Sequence, residues 1–102
     1  MSNKITNDSV DAFLTFKPFR RENMDVLVWD NVSYLYLHGN RIGINTNGMV
    51  SISTCGWDTR TTLMRLREVL RRVAPQSKVQ IKKGLLYFND KKWNGNFTLI
   101  NN

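Results

Sequence analysis

The stretch from Asp58 to Val73 is the longest helical pattern in the sequence, and the rest of the chain has to pack against it. Leu63, Leu66 and Leu70 recur, with Val73, at three- and four-residue steps, so on an α-helix they form one apolar stripe. Asp58 or Thr59 is the expected N-cap, and Pro75 ends the helix. The pattern predicts an amphipathic helix that needs an apolar surface to cover.

The remaining faces of this helix are rich in arginine. At about 100° per residue, Arg60, Arg67 and Arg71 form a second stripe, and Arg65 and Arg72 form a third. The helix contains one acid, Glu68, so we expect most of this charge to lie unneutralised on the surface.

Charge is distributed unevenly along the 102 residues. Residues 1–59 contain five Lys or Arg against six acids, whereas residues 60–92 contain ten against two. This asymmetry favours a polyanion or an acidic protein surface as the partner. The alternative is a soluble basic domain whose charge has no specific role.

Composition limits the class of protein further. No apolar run approaches the roughly 20 residues of a membrane span, so we expect no membrane association. The one cysteine, Cys55, excludes an internal disulfide framework and favours a reducing, cytoplasmic compartment.

Before the helix the hydrophobic period changes to two, which is typical of strands. Turn-forming residues separate these segments, at Asp30-Asn31, Gly39-Asn40 and Thr46-Asn47-Gly48. The sequence therefore predicts an antiparallel meander of four strands: Met24–Trp29, Val32–His38, Arg41–Asn45 and Met49–Cys55.

The two faces of this sheet differ in composition if Trp29 pairs with Val32, His38 with Arg41, and Asn45 with Met49. One face is then wholly aliphatic and suits the helix stripe: Val26, Val28, Leu35, Leu37, Ile42, Ile44, Val50 and Ile52. The opposite face is aromatic and polar: Trp29, Tyr34, Tyr36, His38, Arg41, Asn45, Ser51 and Ser53.

The ends of the chain carry weaker patterns. Residues 1–12 are polar, and we expect a flexible tail within a single domain of residues 1–102. Lys83-Gly84 predicts a C-terminal hairpin, with Val79, Ile81, Leu86 and Phe88 on one face, and Phe97–Ile100 as a further edge strand. The predicted fold class is α+β, a four-stranded meander with one helix on its aliphatic face and a hairpin after it.

Several short motifs follow one another in a distinctive order. They are Leu37-His38-Gly39-Asn40, Gly56-Trp57, Thr61-Thr62, Arg65-Leu66, Leu86-Tyr87-Phe88-Asn89 and Trp93-Asn94-Gly95. This order, over residues 24–95, resembles a group of small accessory proteins encoded by tailed bacteriophages. In that group asparagine commonly follows the Arg-Leu pair, where this chain has Arg67. The resemblance implies action in the host bacterial cytoplasm, in host takeover, regulation or blocking of defence systems.

Catalytic and metal-binding patterns are weak. The single histidine, His38, and the single cysteine, Cys55, fall on strands that are not adjacent, so a nucleophile pair is disfavoured. One histidine and one cysteine also fall short of a zinc site. We predict a non-enzymatic protein with no cofactor and no metal.

Aromatic and basic residues together indicate a binding function. The aromatic face could expose Trp29, Tyr34 and Tyr36, with Arg41, as a platform that stacks on unpaired bases, or other segments could cover it as a second core layer. The expected contacts with nucleic acid or an acidic partner are Arg60, Arg65, Arg67, Arg71, Arg72, Lys78, Lys82, Lys83, Lys91 and Lys92.

Two functions follow from these residues. The first is binding of nucleic acid or a nucleoprotein machine by the helix and hairpin. The second is inhibition of a host enzyme or of a bacterial defence system, as an anti-CRISPR protein does, by docking on an acidic surface. The sequence leaves open whether the chain is a monomer or a homodimer.

Overall fold

The computed structural model describes residues 3–101, which form two helices and nine strands. The elements in chain order are α1 (Lys4–Leu14), β1 (Phe19–Arg21), β2 (Met24–Trp29), β3 (Val32–Leu37), β4 (Asn40–Thr46), β5 (Met49–Ile52), α2 (Arg60–Val73), β6 (Val79–Lys82), β7 (Leu85–Phe88), β8 (Lys91–Lys92) and β9 (Thr98–Leu99).

Within these residues the strands form two antiparallel sheets. The large sheet has the order β1-β2-β3-β4-β5-β9, and the small sheet has the order β6-β7-β8. The α+β prediction is therefore confirmed, including the meander of β2 to β5 and the C-terminal hairpin of β6 and β7. The expected further strand is β9, which returns to pair with β5.

Two-residue turns set the register of the large sheet. Asp30-Asn31 joins β2 to β3 as expected, and both residues have positive φ. The next turn is His38-Gly39 rather than Gly39-Asn40, because Leu37 pairs with Asn40. The following turn is Asn47-Gly48, with Thr46 paired to Met49. The predicted three-residue turn, Thr46-Asn47-Gly48, was therefore also wrong. Such turns match the twist of the strands that they connect.

A β-bulge in β4 changes the predicted faces. Arg41 pairs with Tyr36 and Gly43 with Leu35, which leaves Ile42 as an extra residue. Beyond the bulge the alternation is inverted, so Ile44 lies on the outer face and Asn45 is buried, the reverse of our expectation.

The apolar stripe of α2 lies in the core, as predicted. Leu63, Leu66 and Leu70 are buried in the same cluster as the aliphatic residues of β2 to β5, and Val73 packs at its edge. Thr59 is the N-cap, and its hydroxyl accepts a hydrogen bond from the Thr62 amide at 3.2 Å.

The expectation of a flexible tail over residues 1–12 is corrected for residues 4–12, which belong to α1; residues 1 and 2 lie outside the described residues. Asn3 caps this helix by accepting a hydrogen bond from the Ile5 amide at 3.0 Å. Val10 and Phe13 are fully buried in the core. Tertiary burial stabilises this helix, whose residue types are mostly weak helix formers.

The small sheet has the predicted faces. Val79 and Leu86 are buried in the common core, and Phe88 packs edge-on against Trp93 with ring centroids 5.4 Å apart. Lys82 and Tyr87 lie on the opposite face, which points away from the core.

Candidate nucleic-acid interface

The first arginine stripe of α2 lies on the surface. Arg60, Arg67 and Arg71 are exposed and border one shallow groove along the helix. The Arg67 guanidinium donates a hydrogen bond to the Val79 carbonyl oxygen at 3.2 Å, which ties this stripe to the start of the small sheet without neutralising its charge.

Glu68 compensates two of the arginines. Its buried carboxylate accepts hydrogen bonds from Arg71 and Arg72, each at 2.7 Å. These bonds, the one from Arg71 first, hold the pKa of Glu68 below its ordinary value, although burial opposes the shift. Arg72 also forms an ion pair with Asp11 of α1. The charge of Arg72 is therefore used largely within the fold.

Arg65 does not belong to an exposed surface, which corrects the sequence prediction. The residue is 4 % exposed, and its guanidinium donates to the Thr6 hydroxyl and to the Asn23 side-chain oxygen, the latter at 3.3 Å. Burial lowers the pKa of Arg65, and Glu22 partly offsets this effect. The side chain joins α2 to α1 and to the turn between β1 and β2.

Within the described residues, the small sheet and its turn carry more exposed cations without a carboxylate partner than α2 does. Lys82, Lys83, Lys91 and Lys92 are exposed, and within residues 3–101 none of them has a carboxylate partner within 4 Å. Lys78 differs, because its ammonium lies 3.5 Å from a carboxylate oxygen of Asp90.

Tyr87 lies among these lysines. It pairs directly with Lys92 across the strands, and the Lys82 ammonium lies 5.9 Å from the centre of its ring. The apolar face of this hairpin was predicted from the sequence, whereas Tyr87, on the opposite face, was assigned no role. A ring between two cations is the arrangement that favours stacking on a base next to its phosphates.

The outer face of the large sheet is open to solvent. Of the two alternatives left by the sequence, an exposed platform and a covered second core layer, the structure has the first. Trp29 is 75 % exposed and Leu27 55 % exposed, whereas Tyr34 and Tyr36 are half-buried. The Arg41 guanidinium lies 4.4 Å from the centre of the Tyr34 ring and donates two hydrogen bonds to the Tyr36 hydroxyl, at 3.0 and 2.8 Å.

This outer face is more apolar than predicted. Leu27 is cross-strand to Tyr34, and Ile44 pairs with the same tyrosine from the other side. Met49 and Leu99 extend the exposed apolar area toward β9. Alternation in β2 could have identified Leu27, whereas the bulge concealed the position of Ile44.

The weakly supported catalytic pair is not assembled in the described residues. His38 and Cys55 are both exposed turn residues with positive φ, and no hydrogen bond joins them. Within residues 3–101 no group of three or more His, Cys, Asp or Glu side chains comes together as metal ligands would. No helix in the same range is long and apolar enough to cross a membrane.

Comparison with known proteins gives one family. The model of the Kyanoviridae Gp96 protein family matches residues 2–99. No curated protein and no solved structure matches the chain. Because the match spans nearly the whole sequence, the chain belongs to the Kyanoviridae Gp96 protein family and is a small phage-encoded protein.

Proposed function

We propose that this phage protein is a non-enzymatic accessory protein that binds nucleic acid through the small sheet and the neighbouring exposed arginines of α2. The observation that supports the proposal is a group of exposed cations on α2 and the small sheet that have no carboxylate partner in residues 3–101: Arg60, Arg67, Lys82, Lys83, Lys91 and Lys92. Uncompensated surface cations next to one another attract phosphates and release counterions on binding.

Tyr87 favours a single strand over a duplex as the ligand. Its ring can stack on an unpaired base while Lys82 and Lys92 contact the phosphates on either side. A duplex offers such a surface its backbone and the base edges in its grooves, but it offers the ring no free base face, because its bases are stacked on one another.

The proposal is tested by titrating the protein into fluorescent single-stranded DNA, single-stranded RNA and duplex DNA. Each titration is repeated at several salt concentrations. Each phosphate contact contributes about 0.7 to the slope of log affinity against log salt for a single strand. The double variant Lys82→Gln with Lys83→Gln therefore reduces the slope by about 1.4.

A matched control keeps this test specific. Lys4→Gln with Lys17→Gln removes the same charge from exposed residues in and after α1, and it leaves the slope unchanged. The proposed interface would be contradicted if both double variants reduced the slope equally, or if the wild-type protein bound no oligonucleotide at low salt. Tyr87→Ser weakens single-strand binding and leaves the slope unchanged, because it removes stacking and no cation.

The outer face of the large sheet supports a second candidate, a protein inhibitor of a host enzyme or defence complex. Trp, Tyr and Arg are the residue types that dominate protein interfaces, and Trp29, Tyr34, Tyr36 and Arg41 lie together there. An acidic group on the partner would meet Arg41, the basic residue of this face.

Affinity purification from nuclease-treated host lysate separates the two functions. Inhibition predicts one stoichiometric protein that survives the nuclease and is lost with Trp29→Ser but kept with Lys82→Gln and Lys83→Gln. The inhibitor function would be contradicted if the host protein were recovered only in the presence of nucleic acid, or if its recovery were unchanged by Trp29→Ser.

A further inference from the structure

Motifs that are far apart in the sequence line one cavity of about 340 Å³. Leu37 ends β3, His38 lies in the following turn and Asn40 begins β4. Trp57 comes from the segment before α2, and Thr61 and Thr62 come from the first turn of α2. The volume lies at the lower end of the range for small-molecule sites, about 300–1,000 Å³.

Backbone hydrogen bonds fix the walls of this cavity. The His38 amide donates to the Asn23 carbonyl oxygen at 2.8 Å, and the Trp57 amide donates to the Thr54 carbonyl oxygen at 2.9 Å. The second bond closes a turn in which Cys55 and Gly56 have positive φ. The walls are therefore formed before any ligand arrives, which lowers the entropy cost of binding.

The chemistry of the lining selects an uncharged, flat ligand. The lining, all of it within residues 3–101, contains no Asp, Glu, Lys or Arg. Leu37 and Ile42 supply apolar surface, and the indole of Trp57, a residue 55 % exposed, supplies an aromatic one. Such a lining has no Lys or Arg to pair with a phosphate or carboxylate and no Asp or Glu to pair with an ammonium, so it favours an uncharged group.

Unused polar groups surround this apolar surface. The Thr61 hydroxyl, the Asn40 side-chain oxygen and the Trp57 indole N–H make no hydrogen bond to any part of the chain within residues 3–101. They offer a hydroxyl that donates or accepts, an acceptor and a donor to the edge of a planar ring. Unpaired nucleobases are recognised by stacking on an aromatic side chain together with hydrogen bonds at the ring edge.

We propose that this cavity binds an unpaired nucleobase, stacked on Trp57 and hydrogen-bonded by Thr61 and Asn40. The base could belong to a free nucleoside or to a nucleic-acid strand. Binding of a free nucleoside does not depend on the lysines of the small sheet. Binding of a base within a strand rests on the nucleic-acid function proposed above.

The test uses the indole N–H signals of Trp29, Trp57 and Trp93 in a ¹H–¹⁵N NMR spectrum, with the Trp57 signal assigned from its loss in Trp57→Leu. Adenosine, guanosine, cytidine and uridine are titrated separately, with ribose as the control without a base. We expect at least one nucleoside to shift the Trp57 signal saturably while the Trp29 signal stays in place. The affinity should not depend on salt, because nucleosides carry no phosphate.

Variants identify the contacts through signals of the cavity backbone. Thr61→Val keeps the shape of the side chain and removes its hydroxyl, so it should weaken nucleoside binding. Trp57→Leu should weaken it about fivefold or more, the loss expected when one base–aromatic stack is removed. The Trp29→Leu control should bind as the wild type does.

The two sources of the base are separated by Lys82→Gln with Lys83→Gln. We expect this variant to bind nucleosides normally and to lose affinity for a short single-stranded oligonucleotide. Nucleoside binding without any oligonucleotide binding supports the cavity and contradicts the nucleic-acid function. No Trp57 shift with any nucleoside, or unchanged affinity in both Thr61→Val and Trp57→Leu, overturns the cavity proposal whatever the oligonucleotide does.

Discussion

The contact between Phe13 and Gly43 is the sharpest test of how α1 packs on the large sheet. A Cβ added at Gly43 would lie 2.9 Å from the Phe13 Cζ and 3.2 Å from the Leu35 Cβ. Carbon atoms pack best at about 3.5–4.0 Å, so the Phe13 ring would have to move in a core where it is fully buried. Gly43→Ala should therefore destabilise the protein even though alanine normally suits a strand better than glycine does.

The size of the effect follows from two opposing contributions. Overpacking a buried site costs about 1–3 kcal/mol. Replacing glycine by alanine in a strand returns about 0.5–1 kcal/mol of backbone entropy. The net loss should lower Tm, at about 4–8 °C for each kcal/mol in a domain of this size.

A double-mutant cycle isolates the contact with the ring. Phe13→Leu keeps much of the apolar volume but has no Cζ, so adding Gly43→Ala in this background should be neutral or stabilising. The contact with Leu35 is present in both backgrounds and cancels in the cycle. Urea unfolding of the four proteins gives a coupling free energy, which we expect to be about 1–3 kcal/mol. An equal cost of Gly43→Ala in both backgrounds would refute the packing of Phe13 against β4.

Two further predictions concern α2. Arg65→Met should lower the free energy of unfolding by about 1–3 kcal/mol, because it removes the hydrogen bond that the guanidinium donates to the buried Thr6 hydroxyl and leaves that hydroxyl only a weak contact with the Met64 sulfur at 3.8 Å. It should leave oligonucleotide affinity unchanged at a temperature where the variant is folded. A weaker affinity under those conditions would indicate that Arg65 contacts the ligand. Glu68→Gln should destabilise the protein at pH 7, because the pKa of Glu68 is lowered in the folded state by Arg71 and then Arg72. That contribution is present above the ordinary value of 4.5 and is lost as the pH falls through the folded-state value, so urea midpoints of wild type and variant should converge in acid. A difference that is the same at pH 7 and pH 3 would contradict this pairing.

Hydrophobic periodicity was enough to predict most of the fold. The stripe of Leu63, Leu66 and Leu70 identified α2, and strand alternation together with Asp30-Asn31 identified the first hairpin of the meander. The bulge at Ile42 was not predicted, and the residue after it, Gly43, lies against the Phe13 ring of a helix that was missed in the sequence.

The first helix was missed for a physical reason. Its sequence, Lys4–Leu14, is rich in Thr, Asn, Asp and Ser, which are weak helix formers, and its stability comes from burying Val10 and Phe13. The signals that were present are the Asn3 cap and the three-residue step from Val10 to Phe13.

Missing α1 also misdirected the site prediction. Arginines on one helix look alike in a sequence, and only the partner of each face distinguishes them. Because α1 packs beside α2, Arg65 is buried against Thr6 and Arg72 forms an ion pair with Asp11. Both residues belonged to the predicted binding set, and both now have a role in holding the helices together.

Some cations are used in contacts within the fold and others remain free. For this reason the candidate interface lies mainly on the small sheet rather than on α2. The fold uses Arg65 and Arg72 for contacts with α1 and leaves Arg60 and Arg67 exposed along the groove between the two helices. The small sheet has no comparable supply of acids within residues 3–101, since Asp90 is engaged by Lys78. The lysines around Tyr87 therefore keep their charge. For a phosphate ligand, four free lysines beside a stacking ring form a better-suited surface than a helix whose guanidinium groups are shared with Glu68.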